Sequence, residues 1–224
     1  MIAFDGVVFS REGRELLRIP ALELTERRIG LIGANGAGKS TFSRLLNGLL
    51  VPSEGEVTID GLSTRSDGKK VRRKVGFVFQ NPDNQIVMPT VGEDLAFGLK
   101  NLGFEKQELA RKIDAALAHY GLSDLRDRLT HQLSAGEKQL VAIAGVTVMD
   151  PAYIIFDEPT TLLDLGNKKK VMATIDGLSQ NVILVSHDLD LLGSFDRVIC
   201  LHDGKVHADG RPDDVIAAYK ALFP

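Results

Sequence analysis

The apolar run Ile29-Gly-Leu-Ile32 leads directly into Gly33-Ala-Asn-Gly-Ala-Gly-Lys-Ser40, and that into Thr41-Phe-Ser-Arg-Leu-Leu46, a helical pattern. A strand, a glycine-rich loop and a helix in immediate succession leave few folds open. Glycines let consecutive backbone N–H groups curl around one anion, and the helix that follows points its positive N-terminus at the same place. The spacing matches the phosphate-binding loop, so Gly33, Ala34, Asn35, Gly36, Ala37, Gly38, Lys39, Ser40 and Thr41 are the candidate ATP-binding residues. Lys39 is expected to bridge the β- and γ-phosphates, and the Ser40 hydroxyl to bind Mg²⁺.

The rest of the chain alternates short β-branched runs with helical patterns, which is the order of an α/β sheet. From Ile2 to about Leu31 the pattern reads as antiparallel, with a turn signal at Arg11-Glu-Gly-Arg14 and polar residues alternating with Leu17, Ile19, Leu22 and Leu24. Pro52-Ser-Glu-Gly55 and Asp60-Gly61 bracket a further strand, Glu56-Val-Thr-Ile59. From Thr90 to about Val148 the period changes: Leu95, Leu99 and Leu102, then Leu109, Ile113 and Leu117, fall at helical spacing. Strands return at Ile154-Ile-Phe156, Val182-Ile-Leu-Val185 and Val198-Ile-Cys-Leu201. The expectation is one α/β domain over 1–224, interrupted by a helical insertion at about 88–150.

Charge and composition exclude several classes. A net charge of −3 offers no basic excess to track a phosphate backbone, so nucleic acid is not expected as a partner. The single cysteine, Cys200, lies in the apolar run Arg197-Val-Ile-Cys-Leu201; it can form no internal disulfide and reads as a core thiol in a reducing compartment. The start, Met1-Ile-Ala-Phe-Asp-Gly, lacks the basic region and apolar core of a secretory signal. The longest uncharged apolar stretch, Leu140 to Met149, falls far short of the roughly 18 residues a membrane span needs. A cytoplasmic protein is expected, held at a membrane only through a partner.

A second chemical motif is Tyr153-Ile-Ile-Phe-Asp157-Glu158-Pro159, an apolar strand that ends in two carboxylates. Neighbouring strand residues point opposite ways, which divides the labour of the pair. Asp157 is expected to hold Mg²⁺ through its water, and Glu158 to face the γ-phosphate, where it orients and deprotonates the attacking water.

The third motif, Leu133-Ser-Ala-Gly-Glu-Lys-Gln139, resembles the signature sequence of the ABC ATPases, with Ala135 and Glu137 as departures from the commoner Leu-Ser-Gly-Gly-Gln form. The resemblance extends along essentially the whole chain. It implies an ABC nucleotide-binding domain with a phosphate-loop core, an N-terminal antiparallel β part and a helical signature subdomain. By the same resemblance Ser134, Ala135, Gly136 and Glu137 face ATP held by the opposite subunit of a homodimer or paired ATPase, and Gln80 touches Mg²⁺ and the attacking water. His187 holds the γ-phosphate, and Asp164 is the D-loop aspartate. Ser134 and Glu137 also read, on spacing alone, as the capping box of the following helix. In many members an aromatic stacks on adenine where this chain has Arg11. Two readings stay open there: a guanidinium that stacks on the base, with Phe9 two residues earlier as a substitute, or a solvated hairpin arginine. Leu162 and Leu163 stand where smaller residues usually precede the D-loop aspartate.

The segment Val75-Gly-Phe-Val-Phe-Gln-Asn-Pro-Asp-Asn-Gln-Ile86, followed by Thr90-Val-Gly-Glu-Asp-Leu-Ala-Phe-Gly98, narrows the resemblance to the energy-coupling-factor (ECF) class of importers. That class implies a transmembrane coupling protein, a substrate-binding membrane protein and a place at the cytoplasmic face of the membrane, with ATP-driven dimer closure energising uptake. With Ser-Ala-Gly-Glu in the signature, the short chain resembles the ATPase of biotin-type systems, cobalt or nickel uptake being the rival. The alternative of another class is a soluble ABC ATPase that serves no transport, in DNA remodelling or iron–sulfur assembly. The helical stretch lacks the sustained heptads of the DNA-remodelling kind.

Overall fold

A computed structural model describes residues 1–223. Along the chain run β1 (Ile2–Arg11), β2 (Arg14–Leu24), β3 (Arg28–Gly33), α1 (Lys39–Leu46), β4 (Glu54–Ile59), β5 (Leu62–Ser63), α2 (Gly68–Lys74) and β6 (Val75–Val78). Then come α3 (Val91–Asn101), α4 (Lys106–His119), α5 (Ala135–Thr147), β7 (Tyr153–Asp157), α6 (Leu165–Asp176), β8 (Asn181–Val185), β9 (Arg197–His202), β10 (Lys205–Gly210) and α7 (Pro212–Ala221). The elements fall into two compact units, one of Met1–Val75, Tyr153–Asp157 and Gln180 onward, the other of Gly76–Ala152 and Glu158–Ser179.

In the first unit, β1 pairs antiparallel with β2 and with β4. The β1–β2 turn is the one expected at Arg11-Glu-Gly-Arg14: Glu12 and Gly13 both take left-handed φ, 53° and 75°, as a two-residue hairpin turn with the right twist requires. In the other sheet β9, β3, β8 and β7 lie side by side and parallel, with β10 antiparallel on the β9 edge. The parallel strands bury nearly every residue, which explains why they read as unbroken apolar runs. Between the sheets' elements Phe4 of β1 stacks on Phe42 of α1 at 4.8 Å between ring centroids. Each such fully buried large side chain contributes about 1.5–3 kcal/mol against leaving it in water.

The second unit is helical. Leu95 and Leu99 of α3, Ile113 and Leu117 of α4, and Leu140, Val141, Ile143 and Ala144 of α5 are buried together. α5 is apolar nearly all round and buried nearly all round, as a central helix must be. Close packing against it calls for a small residue on a neighbouring strand: a Cβ added at Gly76 of β6 would overlap Val146 of α5.

Candidate functional site

In the first unit the register of the parallel strands gathers the predicted residues at one end of the sheet. Leu31 of β3 and Asp157 of β7 both lie opposite Val185 of β8, so the Gly33 loop, Asp157 and, two residues beyond Val185, His187 all stand at the carboxyl ends of adjacent strands. That end of an open α/β sheet is where ligands bind. Gly33 is itself forced: at φ 151° its missing Cβ would run into the Leu201 carbonyl. The loop then curls, with Gly36 at φ 81°, Gly38 at φ 102° and the Ala37 N–H donating to the Ala34 carbonyl at 3.1 Å. Lys39 is buried, and its Nζ donates to the Gly33 carbonyl at 2.7 Å and the Ala34 carbonyl at 3.0 Å, which folds the ammonium back over the loop. Ser40 is exposed and Thr41 half-buried in the first turn of α1; Asn35 and Gly36 are exposed at the tip. Asp157 is buried at the strand end. A hydroxyl and a carboxylate are hard oxygen donors of the kind Mg²⁺ selects, so Ser40 and Asp157 fit that ion.

Arg11 lies outside this register, at the end of β1, with its side chain exposed and 3.7 Å from the Glu12 carboxylate. Phe9 is not a substitute for an exposed stacking ring. A bulge shifts the register between Phe9 and Ser10, and the Phe9 side chain is buried in the core.

In the second unit the signature opens α5. The capping box is formed: Ser134 Oγ accepts the Glu137 N–H at 3.3 Å, and the Glu137 carboxylate accepts the Ser134 N–H at 2.8 Å and its hydroxyl at 2.7 Å. The Ser134 hydroxyl holds the Glu137 carboxyl below the usual carboxylate range. Asp164 caps α6: its Oδ1 accepts the Asn167 N–H at 2.9 Å and its Oδ2 accepts the Asn167 side-chain amide at 2.7 Å, which lowers its pKa in the same way. Glu158 sits at φ 52°, left-handed for a residue with a side chain, and its Oε2 accepts the Thr161 hydroxyl at 3.1 Å. Ser134 and Ala135 are exposed, as is Gln80.

Two residues that sequence reasoning left without a role join these parts. Asn167 lies against Gly136 so closely that any Cβ there would overlap its carboxamide, so the D-loop side of α6 and the signature touch through one side chain. Gln85, in the Gln80-Asn-Pro-Asp-Asn-Gln85 motif, bonds both the Phe79 N–H and the Ala142 carbonyl of α5. A cavity of about 130 Å³ lies beside it, lined by Asn81, Pro82, Asp83, Gln139, Leu162 and Leu163; Leu162 is 59% exposed, while the Gln139 amide nitrogen is buried with no hydrogen-bond partner among the described residues. The motif's length past Gln80 was the visible signal for Gln85, whereas Asn167 had none.

A phosphate loop closing β3, a carboxylate pair ending β7 and a capped signature helix together define an ABC ATPase, and the family model for the ABC transporter matches residues 23–161: the chain belongs to that family. It is an ATP-hydrolysing member, of the ECF class. The chain is 42% identical over 221 residues to the biotin transport ATP-binding protein BioM of Rhizobium etli, covering 99% of this chain and 98% of that one. It is 44% identical over 200 residues to the energy-coupling factor transporter ATP-binding protein EcfA1 of Clostridioides difficile, covering 87% of this chain and 72% of the other. Among solved structures it resembles CbiO1 of Clostridium perfringens, part of the ABC transporter complex CbiONQ, with a TM-score of 0.86, 32% identity, and 99% and 92% of the two chains covered.

Proposed function

We propose that this chain is the ATPase of a biotin-type ECF importer, working as one of two paired ATPases that close on MgATP. The observation that carries the nucleotide chemistry is the convergence of the Gly33–Lys39 loop, Asp157 and His187 at the carboxyl ends of β3, β7 and β8. Lys39 would draw charge from the β- and γ-phosphates, and His187 would hold the γ-phosphate. Ser40, Gln80 and, through water, Asp157 would hold Mg²⁺, which supplies charge neutralisation at the phosphate oxygens. Glu158 would orient the attacking water and take its proton. Ser134, Ala135, Gly136 and Glu137 would meet the ATP of the opposite subunit, with Asp164 beside the shared interface. Arg11 is offered as a guanidinium that stacks on adenine from the hairpin.

Among the described residues no helix is long and apolar enough to cross a membrane, so coupling to transport falls to separate membrane proteins. The proposed partners are a transmembrane coupling protein and a substrate-binding membrane protein, with this chain peripheral on the cytoplasmic face. The end-to-end match to BioM supports biotin as the solute, since EcfA1 is matched over 72% of its length.

The test has two arms. A tagged copy purified from membranes should bring down a transmembrane protein; a soluble partner alone sinks the transport reading. Cells expressing that complex should then take up labelled biotin in an ATP-dependent way. Uptake of cobalt or nickel with none of biotin would overturn the solute and leave the transport reading standing.

A further inference from the structure

The turn after Gln80 is built more firmly than a loop needs to be. Asn81 Oδ1 accepts the Asp83 N–H at 3.0 Å, and the Pro82 carbonyl accepts the N–H groups of Gln85 and Ile86, each at 2.9 Å. Two side chains then fasten this turn to α5. Lys138 Nζ bonds Asp83 Oδ1 at 2.7 Å, and Gln85 spans from one element to the other: its Oε1 accepts the Phe79 N–H at 3.1 Å while its Nε2 donates to the Ala142 carbonyl at 2.8 Å. The oxygen must face the N–H and the nitrogen the carbonyl, so both ends of the carboxamide are assigned by their partners.

We propose that Gln85 is a positioning residue for ATP hydrolysis, holding the backbone of Phe79, and with it the adjoining Gln80, to the middle of the helix whose N-terminus carries the signature. Gln80 and Ser134–Gly136 then move as one body, so the residue at the chain's own ATP and the residues offered to the partner's ATP are set by one strut. This rests on the role proposed above for Gln80. Glutamine is chemically singular here. Asparagine is shorter by a methylene, methionine neither donates nor accepts strongly, and an ionised glutamate can only accept, which would turn a negative oxygen toward the Ala142 carbonyl.

That last point supplies the test. In Gln85→Glu the carboxylate facing a carbonyl has its pKa raised, and once protonated it can again accept from Phe79 and donate to Ala142. The ratio of variant to wild-type kcat should therefore climb as pH falls from about 8 to about 5.5. Gln85→Met should lower kcat by ~10- to 100-fold, the scale of a misplaced catalytic group, with KM for ATP little changed. If Gln85 acts through Gln80, adding Gln85→Met to Gln80→Ala should slow turnover no further. A pH-independent ratio, a Gln85→Met protein that turns over like wild type, or a double variant whose losses multiply would each overturn the proposal. Should Gln80→Ala itself hydrolyse ATP normally, the role of Gln80 falls first; should it be slow while Gln85→Met is not, the strut alone is refuted. A side chain that merely stabilised the fold would lower the melting temperature without giving kcat this pH dependence.

Discussion

α1 and α5 both begin at loops that the sequence assigns to phosphate, and they begin in opposite ways. Gly38 caps α1 without any side-chain hydrogen bond, no acid stands in the first turn, and the loop before it curls through left-handed glycines. No capping side chain and no carboxylate of its own first turn competes there with an anion. At α5 the Glu137 N–H is already taken by Ser134, and a carboxylate, held below the usual range, occupies the first turn. A phosphate arriving there has to compete with that charge. On the roles proposed above, the first helix start would suit a ligand that stays, and the second one that comes and goes.

The largest expected effect would separate the two starts in time. Glu158→Gln should keep MgATP on the α1 loop but slow turnover by roughly 10²- to 10⁴-fold, the loss for a positioned base. Steady-state hydrolysis near the wild-type rate would remove Glu158 from that role. In this background, Lys39→Ala should weaken nucleotide binding by ~10- to 100-fold, as for a lost hydrogen bond to a charged group, while Ser134→Arg should not. Equal losses on titration with a fluorescent ATP analogue would erase the contrast. Mixing those two variants should restore an ATP-dependent heterodimer, measured by capture through a tag on one chain, if α5 serves the opposite subunit. Capture at background level would favour a signature that acts within its own chain, unless mixing Glu158→Gln protein with the Lys39→Ala variant also fails to give a dimer, which would mean that closure needs both sites filled.

A smaller effect concerns packing. Gly136→Ala should lower stability by about 1–3 kcal/mol, the usual range for overpacking, because its methyl overlaps the Asn167 carboxamide. Chemical denaturation of the double variant with Asn167→Ala should recover part of the loss; no recovery would place the clash elsewhere.

This contact marks where the sequence stops being legible. The capping box at Ser134 and Glu137 and the hairpin at Arg11–Arg14 were readable because they are local: three residues apart in one case, a two-residue turn in the other. The parallel strands were readable as apolar runs. Asn167, in contrast, meets Gly136 from far along the chain, with β7 between them in sequence, and nothing in its neighbours announces it. Phe9 misleads for a different reason, since alternation along a strand holds only until a bulge shifts the register. Gln85 could be noticed as part of a motif, yet which two elements it ties depends on where α5 lies.

The smallest effects test the α5 cap itself. Ser134→Ala should cost about 1 kcal/mol of stability, the value of an N-cap. Because the folded-state pKa of Glu137 is depressed, its contribution is present above the ordinary glutamate range, near pH 4.3, and is lost as pH falls through the lower folded value. Thermal melts of wild type and Glu137→Gln should therefore converge on acidification, and parallel curves would contradict the linkage. Gln139→Met, which replaces a buried amide nitrogen lacking a partner, should instead raise stability by about 1 kcal/mol; a loss of that size would show the amide to be satisfied.

Glu158 occupies a backbone conformation that glycine or asparagine adopts far more comfortably. Selection for thermal robustness alone would drift this position toward those residues, since a left-handed residue with a long side chain costs of order 1–3 kcal/mol. On the role proposed for Glu158, a sturdier descendant that binds ATP without hydrolysing it would be a single substitution away. On the same proposal, a duplicated copy freed from turnover, for instance one partner in an unequal ATPase pair, would have a downhill route to becoming a pure nucleotide holder.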